Sequence, residues 1–107
     1  MKIQYHKKGI TLTNRITQQF EDKLSVLKKY KGALKVLHIQ VEISRDQHHK
    51  KGDVYRVEIN VDLPQKVLRS AQIAPDILSA LDMVTEKLER QARDAKDMSV
   101  TRKKQAG

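Results

Sequence analysis

The chain has 107 residues, with 22 Lys and Arg against 13 Asp and Glu, a net charge of +9, one Phe and neither Cys nor Trp. A chain of this length forms one domain around a single core, which here must be built mostly of Val, Ile and Leu. The lack of Cys excludes disulfides, thiolate metal sites and cysteine nucleophiles, and the positive excess predicts a polyanionic partner.

The charge is unevenly spread. Residues 1–37 hold nine cations (Lys2, Lys7, Lys8, Arg15, Lys23, Lys28, Lys29, Lys31 and Lys35) against only Glu21 and Asp22, whereas the remainder is close to balance. Charge carried only for solubility would be interspersed rather than gathered in one third of the chain. Met1 to Lys8 contains no apolar h-region, and no stretch approaches the roughly 20 apolar residues of a membrane span. A cytoplasmic monomer without a membrane partner is expected.

In chain order, Lys2–Tyr5 reads as a short strand. Gly9 breaks it, and His6-Lys7-Lys8 forms a turn leading to a helix capped by Thr13. From Asn14 to Tyr30, Ile16, Phe20, Leu24 and Leu27 recur at helical spacing, and Gly32 ends the helix. Leu37, Ile39, Val41 and Ile43 then alternate with His38, Gln40, Glu42 and Ser44, the pattern of a strand with one buried face. Arg45–Asp53 is a polar hairpin loop. Tyr55, Val57, Ile59, Val61 and Leu63 repeat the alternation, which places Tyr55 with the core set. A fourth strand spans Lys66–Gln72, with its phase open. Pro75 suits the first turn of a second helix, whose apolar face (Ile77, Leu81, Val84, Leu88, Ala95) runs to about Lys96.

The order β-α-β-β-β-α predicts a two-layer α+β domain. A four-stranded sheet would carry both helices on one face and leave the other wet. Residues 1–97 form this domain, and 98–107, with Arg102-Lys103-Lys104, form a basic, disordered tail.

Catalytic signatures are missing. There is no GxSxG, HExxH or P-loop motif. His48 and His49 are neighbours in a loop with no third ligand nearby, so no metal or cofactor is expected. Asp82, Glu86 and Glu89 interleave with Lys87, Arg90 and Arg93 on the second helix, where pairing within the helix accounts for them. The chain reads as a non-enzyme. For nucleic acid, Lys23 and Lys28 flank the apolar face of the first helix, and Lys87 and Arg90 share a flank of the second. Packed side by side, the helices would gather these cations on one surface, extended by Lys7 and Lys8. No aromatic-rich sheet of the RNP type is present, which favours recognition of backbone and shape.

Asp76-Ile77-Leu78-Ser79-Ala80-Leu81-Asp82 followed by Lys87-Leu88-Glu89-Arg90-Gln91 resembles the ribosome hibernation promoting factor family. Ile10-Thr11-Leu12-Thr13 and Leu27-Lys28-Lys29-Tyr30 extend the likeness, which covers about residues 2–96. The resemblance implies a fold like that of double-stranded-RNA-binding domains. It also implies a protein that occupies the 30S subunit of idle 70S ribosomes in the decoding region, where it displaces mRNA and the A- and P-site tRNAs. Contacts to 16S rRNA would come from Lys23, Lys28, Lys87, Arg90 and Lys96, with Arg93 beside them. The chain departs from the family pattern at Leu78 (usually aromatic), Ala74 (usually Gly) and Asp94 (often basic). It has the length of a short form, which would rely on a separate ribosome-dimerising factor. The competing readings are a general double-stranded RNA or DNA-binding module and a protein-interaction regulator.

Overall fold

The computed structural model describes residues 2–30, 34–46 and 54–106, with side chains as far as residue 97. The elements are β1 (Ile3–Lys8), α1 (Asn14–Leu24), a 3-10 segment (Ser25–Tyr30), β2 (His38–Asp46), β3 (Val54–Asp62), β4 (Val67–Ala74) and α2 (Ile77–Ala106). They build one four-stranded sheet in the order β1-β2-β3-β4. β1 runs parallel to β2, and the other pairs are antiparallel. This is the two-layer α+β architecture expected from the sequence.

The register puts Tyr5, Val41, Ile59 and Ser70 in one row across the sheet and Ile3, Ile39, Val61 and Leu68 in another. These rows face the core, which also takes Phe20 and Leu24 of α1 and Ala80, Leu81, Val84, Leu88 and Ala92 of α2. Both helices therefore lie on the same face. The opposite rows, Gln4-Gln40-Asn60-Arg69 and His6-Glu42-Glu58-Ala71, line the wet face. Phe20 is fully buried and meets Tyr5 edge-on, with ring centroids 6.1 Å apart. That contact fastens α1 over β1, while α2 lies over β3 and β4. Removing a buried ring of this kind costs about 3–5 kcal/mol.

The elements end for identifiable reasons. Gly9 has φ +76°, and a Cβ there would come within 3.3 Å of the Arg45 carbonyl oxygen, so glycine suits both the conformation and the close approach. The Thr13 hydroxyl accepts the Ile16 N–H at 3.2 Å and caps α1. The Ser25 hydroxyl donates to the Asp22 carbonyl, a local bond that competes with the α-helical ladder where the 3-10 segment begins. Asp76 caps α2, since its carboxylate accepts the Ser79 N–H at 2.8 Å and the Ser79 hydroxyl at 2.9 Å.

Several expectations change. β1 reaches Lys8, so His6, Lys7 and Lys8 are strand residues rather than a turn; pairing with β2 through Ser44 extends it. Leu37 precedes β2 and is 50% exposed. Arg45 and Asp46 belong to β2, while 47–53, with His48 and His49, and Gly32 lie outside the described residues. Pro75 precedes the cap rather than opening the helix. β4 takes a definite phase, with Leu68, Ser70 and Ala74 inward. α2 does not stop near Lys96, because helical backbone continues to Ala106 through the stretch expected as a disordered tail. Residues 102–106 are good helix formers with no Gly or Pro among them.

β4 is an edge strand, and Gln91 of α2 occupies part of its open side. The Gln91 amide accepts the Arg69 N–H at 3.1 Å and donates to the Arg69 carbonyl at 2.9 Å, replacing the bonds a fifth strand would make. Gln91→Ala is expected to speed exchange of the Arg69 amide by about tenfold, read by hydrogen–deuterium exchange; unchanged exchange would contradict this role. The cap bonds to Asp76 hold its carboxyl below the usual range, first through the Ser79 N–H and then its hydroxyl. A depressed carboxyl stabilises the fold above its unfolded pKa and loses that contribution as pH falls through the folded value. The Tm deficit of Asp76→Ala should therefore be largest near neutrality and shrink on acidification; a deficit unchanged down to about pH 2 would contradict it.

Candidate nucleic-acid interface

Because both helices share one sheet face, the 3-10 segment and α1 meet α2 along a seam. Ion pairs cross it. Lys23 Nζ lies 2.7 Å from the Asp82 carboxylate, and Lys29 Nζ bonds Glu89. Asp82 and Glu89 are two turns apart on α2, about 10 Å along its axis. The Lys29 ammonium is held above its usual pKa first by the hydrogen bond to Glu89. The same bond lowers Glu89, and the nearby Arg93 guanidinium lowers it further.

Tyr30 anchors the far end of the seam. It is only 6% exposed, and the ammonium groups of Lys29 and Lys96 sit 5.3 Å and 6.0 Å from its ring centroid. These contacts restrain two flexible cations on a fixed aromatic face. The 3-10 repeat of three residues per turn stacks Tyr30 on Leu27, both buried. It thereby turns Lys29 toward α2.

The structure brings together only part of the expected set. Lys23, Arg93 and Lys96 lie along or beside the seam. Lys28 is exposed, and the three-residue repeat that turns Lys29 toward α2 puts Lys28 on the other flank of the 3-10 segment. Lys87 sits on the other flank of α2, toward β4, by its helical phase relative to Gln91. Arg90 points outward with Glu86, 3.9 Å away. Lys7 and Lys8 stand at the opposite end of the domain, at the end of β1, with successive side chains on opposite faces of the sheet. The eight cations thus do not form one surface.

Lys29 is not among the contact residues expected from the sequence, although it bonds Glu89 across the seam. Asp82 and Glu89 also differ from expectation: they pair across to Lys23 and Lys29, while Glu86 and Arg90 keep the expected pairing within the helix. The wet face is different in character, with both signs interspersed. His38 meets Asp62 at 2.5 Å and Arg56 meets Glu58 at 3.1 Å. Burial works against the Glu58 charge, yet hydrogen bonding, led by Arg56, holds its carboxyl below the usual range.

Hollows interrupt the surface. One, of about 490 Å³, lies where α1 and α2 begin, between Thr13, Arg15, Gln19, Tyr55, Asp76 and Leu78. Another, of about 240 Å³, lies at the end of β1 between His6, Lys8, Glu42, Ser44 and Arg56. Tyr55 is half-buried with the Arg45 guanidinium 5.9 Å from its ring. Among the described residues, no three His, Asp or Glu side chains are placed to hold a metal ion, and no helix is long and apolar enough to cross a membrane.

Comparison with known proteins agrees with this architecture. The "Ribosome hibernation promotion factor" of Staphylococcus aureus (strain COL) is 26% identical over 98 residues, which is 90% of this chain and 48% of that protein. The chain thus spans about half the length of this curated relative. The crystal structure of the Thermus thermophilus Protein Y N-terminal domain superposes with a TM-score of 0.72 at 26% identity, over 88% of this chain and 98% of that one. A ribosomal subunit interface protein from Coxiella burnetii superposes with a TM-score of 0.75 at 21% identity, over 91% of this chain and 99% of that one, a likeness of fold. The family model described as Sigma 54 modulation protein / S30EA ribosomal protein matches residues 3–99, and the chain belongs to that family.

Proposed function

We propose that this protein is a ribosome hibernation factor that docks on the small ribosomal subunit through the cations of the helix seam. Family membership supports ribosome association, as does the name of a relative, a ribosome hibernation promotion factor. The observation that carries the docking surface is the set Lys23, Lys29, Arg93 and Lys96, drawn from three elements and partly fixed by Tyr30, with Lys28 on the far flank of the 3-10 segment.

In this reading the domain, residues 1–97, binds 16S rRNA phosphates in the decoding region, in the cytoplasm. Lys87, Arg90, Lys7 and Lys8 reach phosphates outside the seam, and the basic stretch 98–107 adds long-range attraction. Bound protein excludes mRNA and the A- and P-site tRNAs by occupying their space. No bond is made or broken, so no catalytic group is required.

Phosphate binding releases counterions, so affinity must fall with salt. With about 6–10 phosphates contacted, the loss between 50 and 200 mM salt is on the order of 10³–10⁵-fold. Sucrose-gradient sedimentation with small subunits tests the reading. The wild type should travel with the particles at low salt, and Arg93→Glu/Lys96→Glu should release it. Lys87→Glu/Arg90→Glu should weaken it by a separate increment. Co-migration of all three proteins at every salt concentration would refute the seam as the contact. Equal affinity for free RNA duplex would favour a general duplex binder instead.

A further inference from the structure

A surface built only to attract phosphate would not place carboxylates between its lysines. Here Asp82 and Glu89 stand on the α2 side of the seam, each bonded to a lysine from the other side. The Lys23–Asp82 side chains are each more than half exposed, and the Lys29–Glu89 pair is also open to solvent. Exposed pairs of this kind contribute little to stability. They are therefore poor candidates for holding the helices together, which the apolar core already does.

We propose that Asp82 and Glu89 are specificity-determining residues, which keep the seam from binding polyanions indiscriminately. The inference rests on the docking surface described above and deepens it by naming what that surface rejects. Each carboxylate has two effects. It holds its lysine in a defined position over the seam. It also remains beside any phosphate that takes the lysine from it, where like charges repel.

A phosphate reaching Lys23 or Lys29 alone therefore gains one cation and meets one anion, and little is won. A folded RNA surface that engages Lys96 at the seam and Lys28 on the far flank of the 3-10 segment, together with the paired lysines, gains cations that no carboxylate pairs among the described residues. Selectivity follows from the number of phosphates that fit at once. A generic duplex, with regular phosphates on a convex surface, meets few of these points together. Tyr30 sharpens the requirement by limiting how far Lys29 and Lys96 can move to adapt.

The isosteric variant Asp82→Asn/Glu89→Gln tests this, with Glu58→Gln/Asp62→Asn as a control of equal charge change. Glu58 and Asp62 are likewise ion-paired but lie on the wet face of the sheet, opposite the helices. Binding to a short generic RNA duplex and to isolated small subunits is measured across a salt series. The seam variant should bind duplex on the order of 10-fold to 100-fold tighter, with a salt slope steeper by about 1 to 2. The control should move by less than about threefold, consistent with screening of distant charges. Small-subunit affinity should rise less than duplex affinity, so the preference for subunits narrows. Each single seam variant should move in the same direction by a smaller step. Equal shifts for seam variant and control would overturn the proposal, because only net charge would then matter; so would no shift in duplex binding. A wild type that ignores small subunits would sink the ribosome reading instead, while the duplex comparison would still decide the role of the carboxylates.

Discussion

A sheet with one apolar face must shelter that face once, and here two helices divide the work. Phe20 on Tyr5 fastens α1 over β1, and Leu81, Val84 and Leu88 seat α2 over β3 and β4. The helices then have to meet above the middle of the sheet. Their polar flanks are forced into register there, and Lys23 and Lys29 come within bonding distance of Asp82 and Glu89. Interface geometry is thus a by-product of core packing. Each fully buried aliphatic side chain on this face contributes about 1.5–3 kcal/mol, whereas the exposed ion pairs above it contribute little. The core sets where the charges stand, and the charges set what can bind.

The net charge of the chain overstates how basic this face is. α2 carries Asp76, Asp82, Glu86, Glu89, Asp94 and Asp97 among its cations, so the seam alternates in sign. Such a surface attracts a polyanion at long range through the total charge and sorts it at short range through local pairing. The β4 edge shows the same economy in hydrogen bonding: one glutamine side chain stands in for a neighbouring strand at Arg69. Gln91 closes the run Lys-Leu-Glu-Arg-Gln that resembles the family, and its contact with the sheet edge gives that residue a structural part beside the cations.

Much of this was legible in the sequence because it depends on period and caps. The alternation in β2 and β3, the stripe of α2, the Thr13 cap and the break at Gly9 are all local signals, and they gave the element order and the two layers. What escaped depends on contacts between distant residues. β1 is lengthened by pairing with β2, and the phase of β4 is set by β3. The 3-10 segment shifts the angular position of Lys29, which α-helical spacing conceals. Glu89 looks self-sufficient within α2, since Arg93 follows four residues on, whereas Asp82 has no cation three or four residues away. Their partners on the other side of the seam could be found only once the helices were placed.

Lysine footprinting bears most directly on the central claim that the helix seam is what meets ribosomal RNA. Amine reactivity of each lysine is compared by mass spectrometry for the free protein and for the protein on small subunits. Lys23, Lys29 and Lys96 should be protected together, with Lys66 in the β3–β4 turn left reactive. Protection confined to Lys8 and the wet face of the sheet, or uniform labelling at every lysine, would contradict the account.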